Sequence, residues 1–277
     1  MDTDNLTVLD DDIRLFSEAV WGYYNDHGRH NLPWRTVESD GTMDPYKIMV
    51  SEIMLQQTQV GRVIPKYAAF LGRFPDIKIL ADAELGEVLR FWQGLGYNRR
   101  AKFLWQSAGQ IAASRAFPRS QEALVKLPGI GMNTAGAIRA YAYNEPALFI
   151  ETNVRTVYIH HFLADEADVP DKTITQLLAQ SIDREHPREF YWALMDYGTY
   201  LKATVGNFNK ASKHYAKQST FSGSRRQVRG LVLRLLSERP HTLQELQTEV
   251  SDERLDDVLA DLSAEGLIHD RGGMYAL

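Results

Sequence analysis

Cysteine is absent from all 277 residues. Disulfides, thiolate nucleophiles, cysteine-bound zinc and cysteine-bound iron–sulfur clusters are therefore excluded. No apolar run approaches the roughly 20 residues needed to span a bilayer. The acidic stretch Met1 to Asp12 has no signal-peptide core, so a cytoplasmic protein without a membrane partner is expected. The eight histidines never fall into HxxxH or HExxH spacing, which leaves a histidine metal centre without a ligand set. His160 and His161 are adjacent and would point about 100° apart on a helix. What remains is 44% hydrophobic and 24% charged, enough for one large or two modest globular domains.

The formal net charge of −5 argues against nucleic-acid binding until its distribution is considered. From Lys202 to Arg234 there are eight Lys/Arg and no acid: Lys202, Lys210, Lys213, Lys217, Arg225, Arg226, Arg229 and Arg234. Arg99, Arg100 and Lys102 form a second basic group, whereas Glu238 to Asp270 carries ten acids against two arginines. The first two groups could face phosphates and the third would be repelled by them. Charge alone favours the plainer reading of a solvated basic face followed by a solvated acidic one.

Apolar spacing of three and four predicts an all-α chain. The expected helices are Ile13 to Tyr24, Pro45 to Val60, Ile64 to Phe74, Leu85 to Trp92, Arg100 to Ala113, Gln121 to Lys126, Asn133 to Ala142, Asn153 to Phe162, Asp171 to Ile182 and Pro187 to Leu201. No alternating strand precedes Leu201, and Gly206 to Gly223 reads as a long polar connector. The division expected is 12–201 as a helical core, 202–223 as a basic connector and 224–277 as a small module. In that module Arg225 to Ser237, Leu243 to Val250 and Leu255 to Glu265 are helices, the second opened by a Thr242–Glu245 capping box. A hairpin turning at Gly272-Gly273 follows, which makes a winged helix. Its third helix carries Asp256, Asp257, Asp261 and Glu265, a poor major-groove reader. Packing or contact with a protein partner is the expected role of this acidic face.

Leu127-Pro128-Gly129-Ile130-Gly131 separates two helical runs and is followed by Asn133-Thr134-Ala135-Gly136. Pro128 fixes one backbone angle, and the two glycines allow positive φ and close backbone approach. The N–H groups that open the next helix can receive a DNA phosphate. Carbonyls of the turn, at Leu127 and Gly129, can hold a sodium or potassium ion. The same turn also occurs between ordinary packed helices. Glu52 stands out for another reason: it lies within Ile48-Met49-Val50-Ser51-Glu52-Ile53-Met54-Leu55. Partial burial among such neighbours raises a carboxyl pKa toward the range of a general acid.

Taken with Leu32-Pro33-Trp34-Arg35, Ser51-Glu52-Ile53-Met54-Leu55-Gln56-Gln57-Thr58-Gln59-Val60 and Gly94-Leu95-Gly96-Tyr97, the glycine turn resembles the adenine DNA glycosylases of the helix-hairpin-helix (HhH-GPD) superfamily. The resemblance covers about residues 12–201. It implies two all-helical lobes with the active site between them, double-stranded DNA as partner, and excision of adenine opposite 8-oxoguanine or guanine. It also implies roles for individual residues. Glu52 matches the proton donor, and Glu151 the carboxylate that stabilises the sugar cation. Gln56, Gln57 and Tyr97 would enter the duplex, the two glutamines from the same helix as Glu52. Arg99, Gly129, Gly131, Asn133, Thr134, Lys202, Lys210 and Lys213 would contact DNA. Leu32, Trp34, Arg35 and Trp192 would line the base pocket.

Several departures qualify these implications. The family's Asp-x-Asn-Val string is Glu151-Thr152-Asn153-Val154 here, one methylene longer. Its four cluster-binding cysteines are missing, so no cofactor is expected beyond the monovalent ion. Trp192 replaces a polar residue that helps to read adenine, and the winged helix replaces a domain that recognises 8-oxoguanine. Asn133 stands where strand-cleaving relatives have a nucleophilic lysine, so base removal without strand cleavage is expected. A glycosylase for an alkylated or deaminated base, and a catalytically silent DNA-damage binding protein, stay open as alternatives.

Overall fold

A computed structural model of the protein describes residues 9–216 and 220–277. Lys217, one of the basic residues noted above, lies outside the described residues. The helices in chain order are α1 (Asp10–His27), α2 (Pro45–Leu55), α3 (Val60–Arg73), α4 (Ile77–Asp82), α5 (Leu85–Trp92), α6 (Arg99–Ser114), α7 (Gln121–Leu124), α8 (Met132–Tyr143), α9 (Thr152–Phe162), α10 (Asp171–Ser181), α11 (Pro187–Thr204), α12 (Arg225–Glu238), α13 (Leu243–Glu249) and α14 (Leu255–Ala264). Short 3-10 turns occupy Pro33–Arg35 and Phe208–Ala211, and the strands are β1 (His241–Thr242), β2 (His269–Asp270) and β3 (Met274–Ala276). The chain forms two compact units and visits each more than once. One comprises Met1–Ile48, Arg119–Lys126 and Ile130–Lys217; the other comprises Met49–Pro118, Leu127–Gly129 and Gln218–Leu277.

In the first unit, α1, α8 and α10 pack around the pair α9 and α11. Phe16 of α1 sits 5.0 Å from both Tyr158 and Phe162 of α9, ring centre to ring centre. The backbones of α9 and α11 approach closely at Gly198, where a Cβ would lie 2.7 Å from the Asn153 carbonyl oxygen. The stretch after α11, expected as a plain connector, is in part a folded turn. Phe208 packs 4.7 Å from the ring of His160. The Val169 N–H donates to the Ala211 carbonyl at 2.8 Å, and the Lys213 N–H to the Val169 carbonyl at 3.0 Å. Asn209 and Ser212 are buried there.

In the second unit, Phe70, Phe74 and Trp92 form a fully buried aromatic centre for α3 and α5. Helix α4 escapes the apolar-spacing argument because six residues are too few to display a period. Its usable signal is Asp76, whose side chain caps the Lys78 and Ile79 amides. Residues 225–276 form the winged helix, with antiparallel strand order β1-β3-β2. The Thr242–Glu245 capping box is present. Strand β1, two residues long and partly shared with that cap, is an addition to the expected hairpin. Helix α12 packs on α5, where Gln93 Nε2 donates to the Leu233 carbonyl at 3.2 Å. Two acids at the C-terminal end of α14 reach α12: Asp261 pairs with Arg225 and Glu265, the C-cap, with Arg229, each at 2.6 Å.

Candidate active site

Glu52 lies in the last two turns of α2, half-buried, between the fully buried Ser51 and Ile53. Helix α2 stops at Leu55, five residues short of the expected Val60. Gln56 and Gln57 therefore do not continue the helix that carries Glu52, as the sequence suggests. They form a turn after it, with Gln57 in the left-handed region at φ 54° and exposed.

The reason is Arg100, which in the sequence stands out only as part of a basic cluster. Its buried guanidinium donates to the carbonyls of Ile53, Met54 and Gln56 and to Thr58 Oγ1. The same group donates at 3.1 Å to the carbonyls of Leu95 and Gly96. It thus satisfies the open carbonyls at the end of α2 and ties that turn to the loop holding Tyr97. Burial pulls the Arg100 pKa down to about 10. The available signal is its position on the buried stripe of α6 with Leu104, Ser107 and Ile111. Tyr97 is 39% exposed with φ 48°, and Arg99 is exposed beside it.

Glu151 immediately precedes α9 and makes no side-chain cap to that helix. The chain leading to it is held from two sides. Tyr191 Oη accepts from the Phe149 N–H at 3.2 Å and donates to the Ala147 carbonyl at 2.8 Å. Asn133 Nδ2 donates to the Ile150 carbonyl at 2.9 Å, while the Ile150 N–H donates to Asn133 Oδ1 at 3.4 Å. Beyond Glu151, Asn153 Nδ2 donates to the Met195 carbonyl at 3.0 Å. Burial raises the Glu151 pKa; Arg155 opposes the rise, but Arg155 is itself engaged bidentately by Asp171 at 2.7 Å. Asn133 thus steadies the backbone beside a carboxylate as well as standing at the exposed start of α8.

Leu32, Trp34, Arg35 and Trp192 are all buried. Arg35 and Trp192 are brought together, with the guanidinium 5.4 Å above the indole ring. Tyr141 also stacks on Trp192, at 6.2 Å and 17°. Arg35 also grips Asp196 with two nitrogens, at 2.7 and 2.9 Å, and Arg29 adds its backbone N–H and Nε at 2.7 Å each. Burial alone would raise the Asp196 pKa; the hydrogen bonds and charges of Arg35, then Arg29, outweigh it and hold the carboxyl below its ordinary value. Asp196 is not among the site residues expected from sequence, although an acid within an otherwise apolar run signals a buried partner.

Gly129 has φ +76°, and a Cβ there would lie 2.8 Å from Cβ of Phe103, so both conformation and space call for glycine. Leu127 is buried, Thr134 half-buried, and Gly131 is exposed as the N-cap of α8. Lys202, Lys210 and Lys213 are exposed. With no cysteine, and no group of three or more metal-ligating side chains among the described residues, the chain does not fit a four-iron four-sulfur cluster.

The family model for HhH-GPD superfamily base excision DNA repair proteins matches residues 50–181. The adenine DNA glycosylase of Buchnera aphidicola subsp. Baizongia pistaciae is 36% identical over 219 residues, which cover 75% of this chain and 60% of that protein. The chain spans between half and two thirds of the length of three such Buchnera relatives. The adenine DNA glycosylase of Mycolicibacterium smegmatis is 33% identical over 278 residues, covering 91% of this chain and 92% of that one. A solved thermostable thymine-DNA glycosylase shares the fold, with TM-score 0.61 and 22% identity over 72% of this chain and 91% of that chain.

Proposed function

Because the chain belongs to the HhH-GPD superfamily of base excision DNA repair proteins, we propose that it is a monofunctional DNA glycosylase acting on adenine opposite 8-oxoguanine or guanine. In this reading Glu52 gives a proton to the extruded base, and Glu151 stabilises the cationic sugar and orients the attacking water. The observation that carries it is Glu151: a desolvated carboxylate, seated beside backbone that Asn133 and Tyr191 hold in place. Such a group is poorly stabilised in the free protein and gains most when positive charge develops next to it. Asn133 offers no amine for a Schiff base, so the abasic product remains uncut.

The choice of adenine follows the names of the relatives. One feature favours another damaged base: Trp192, held between Arg35 and Tyr141, has no group to pair with an exocyclic amine. Duplexes each bearing one lesion, incubated with the protein and then treated with hot alkali, separate the two readings. Release of adenine opposite 8-oxoguanine supports the first. Release of only alkylated or deaminated bases supports the second, and release of none refutes both. Efficient borohydride trapping of DNA would contradict hydrolysis by water. A sodium or potassium ion at the carbonyls of Leu127 and Gly129 would link the turn to a phosphate; replacing both ions with tetramethylammonium should weaken DNA binding if so. The exposed Asp256 and Asp257 leave α14 with a face for a basic protein partner.

A further inference from the structure

We propose that the C-terminal winged helix sets the posture of Tyr97, and that Arg226 is the residue through which it does so. This rests on the reading of the chain as a base-extruding glycosylase with Tyr97 as a wedge in the duplex. Arg226 Nη1 donates to Tyr97 Oη at 2.9 Å, although 129 residues separate the two in sequence. Tyr97 occupies the left-handed region at φ 48°, which a non-glycine residue adopts only when its surroundings hold it. Arg100 supplies part of that hold, by bonding the carbonyls of Leu95 and Gly96 and by placing its guanidinium 5.5 Å from the tyrosine ring. Arg226 adds a hold at the far end of the side chain.

Arg226 can act this way because α12 is itself fixed. Its neighbours Arg225 and Arg229 pair with Asp261 of α14 and with Glu265, the C-cap of that helix. Gln93 bonds the Leu233 carbonyl, and the Lys102 ammonium bonds the Glu265 carbonyl. Tyr97, Gln93 and Lys102 lie within ten residues of one another, so the module is anchored to the same stretch that carries the wedge. An aromatic ring entering a base step loses rotational freedom; a tethered phenol has surrendered that freedom beforehand. The acidic α14, unsuited to reading DNA, thereby acquires a function: it holds α12 at the angle that aims Arg226.

The test uses the full chain and a duplex with 2-aminopurine at the target position, whose fluorescence rises on extrusion. Arg226→Ala and Tyr97→Phe should each slow extrusion about tenfold, the cost of one charge-assisted hydrogen bond. The double variant should be no slower than the slower single one, because both remove the same bond. Arg226→Lys should recover most of the rate, and affinity for an abasic duplex should change less than the extrusion rate. An Arg226→Ala rate equal to wild type, or a double variant whose slowing is the product of the two singles, overturns the proposal. Should Arg226→Ala fail to fold, Tyr97→Phe reads the same bond from its other side, and a rate equal to wild type overturns the proposal. No loss of extrusion in Tyr97→Ala would overturn the wedge role and the proposal with it. Extrusion without base release from any substrate would refute the glycosylase reading alone.

Discussion

Glu151 carries a conflict that can be measured without substrate. Its carboxyl is raised in the folded protein, chiefly by burial. A carboxyl raised on folding costs nothing below the ordinary glutamate value of about 4.3. The cost grows as pH rises through the raised value and stays constant above it. Glu151→Gln should therefore melt a few degrees higher than wild type at pH 8, with the gap closing near pH 4. A constant gap across that range would show that the charge is not the cause. Asp196 has the opposite sign, since its pKa is lowered by Arg35 and Arg29 despite burial. Asp196→Ala leaves Arg35 as an unpaired buried cation and should cost about 3–5 kcal/mol in denaturant unfolding. Its stabilising contribution should fade in wild type as pH falls through the depressed value.

At the scale of elements, the end of α2 and the Tyr97 loop depend on one guanidinium. Arg100→Lys keeps the charge but cannot fork to six acceptors. It should lower stability and slow base release together, with Glu52→Gln slowing base release alone. The same region shows what was legible in the sequence. Helix positions followed from apolar spacing, and the strings around Glu52, Gly129 and Asn153 marked the family. The early stop of α2 was not legible, because it is imposed by a side chain 45 residues beyond Leu55 in the chain. Trp192 was legible as a departure, but its partners Arg35 and Tyr141 arrive from different elements. The folded turn at Phe208–Ala211 was hidden for a similar reason: it is held by the backbone of Val169.

For the whole molecule, the contrast between a net charge of −5 and the proposed DNA partner is eased by where the charges go. The acids Asp261 and Glu265 are engaged with Arg225 and Arg229, while Lys202, Lys210 and Lys213 stay exposed. Replacing those three lysines with glutamine should reduce the slope of log affinity against log salt by about 0.9 for each phosphate they neutralise, for any duplex sequence. A slope unchanged from wild type would remove them from the DNA interface. The most direct measurement of all is single-turnover release of adenine from an 8-oxoguanine duplex by wild type and by Glu52→Gln. Wild type should release the base, and the variant should be slower by about 10²–10⁴-fold while still binding the duplex. Equal rates in the two proteins would contradict protonation by Glu52.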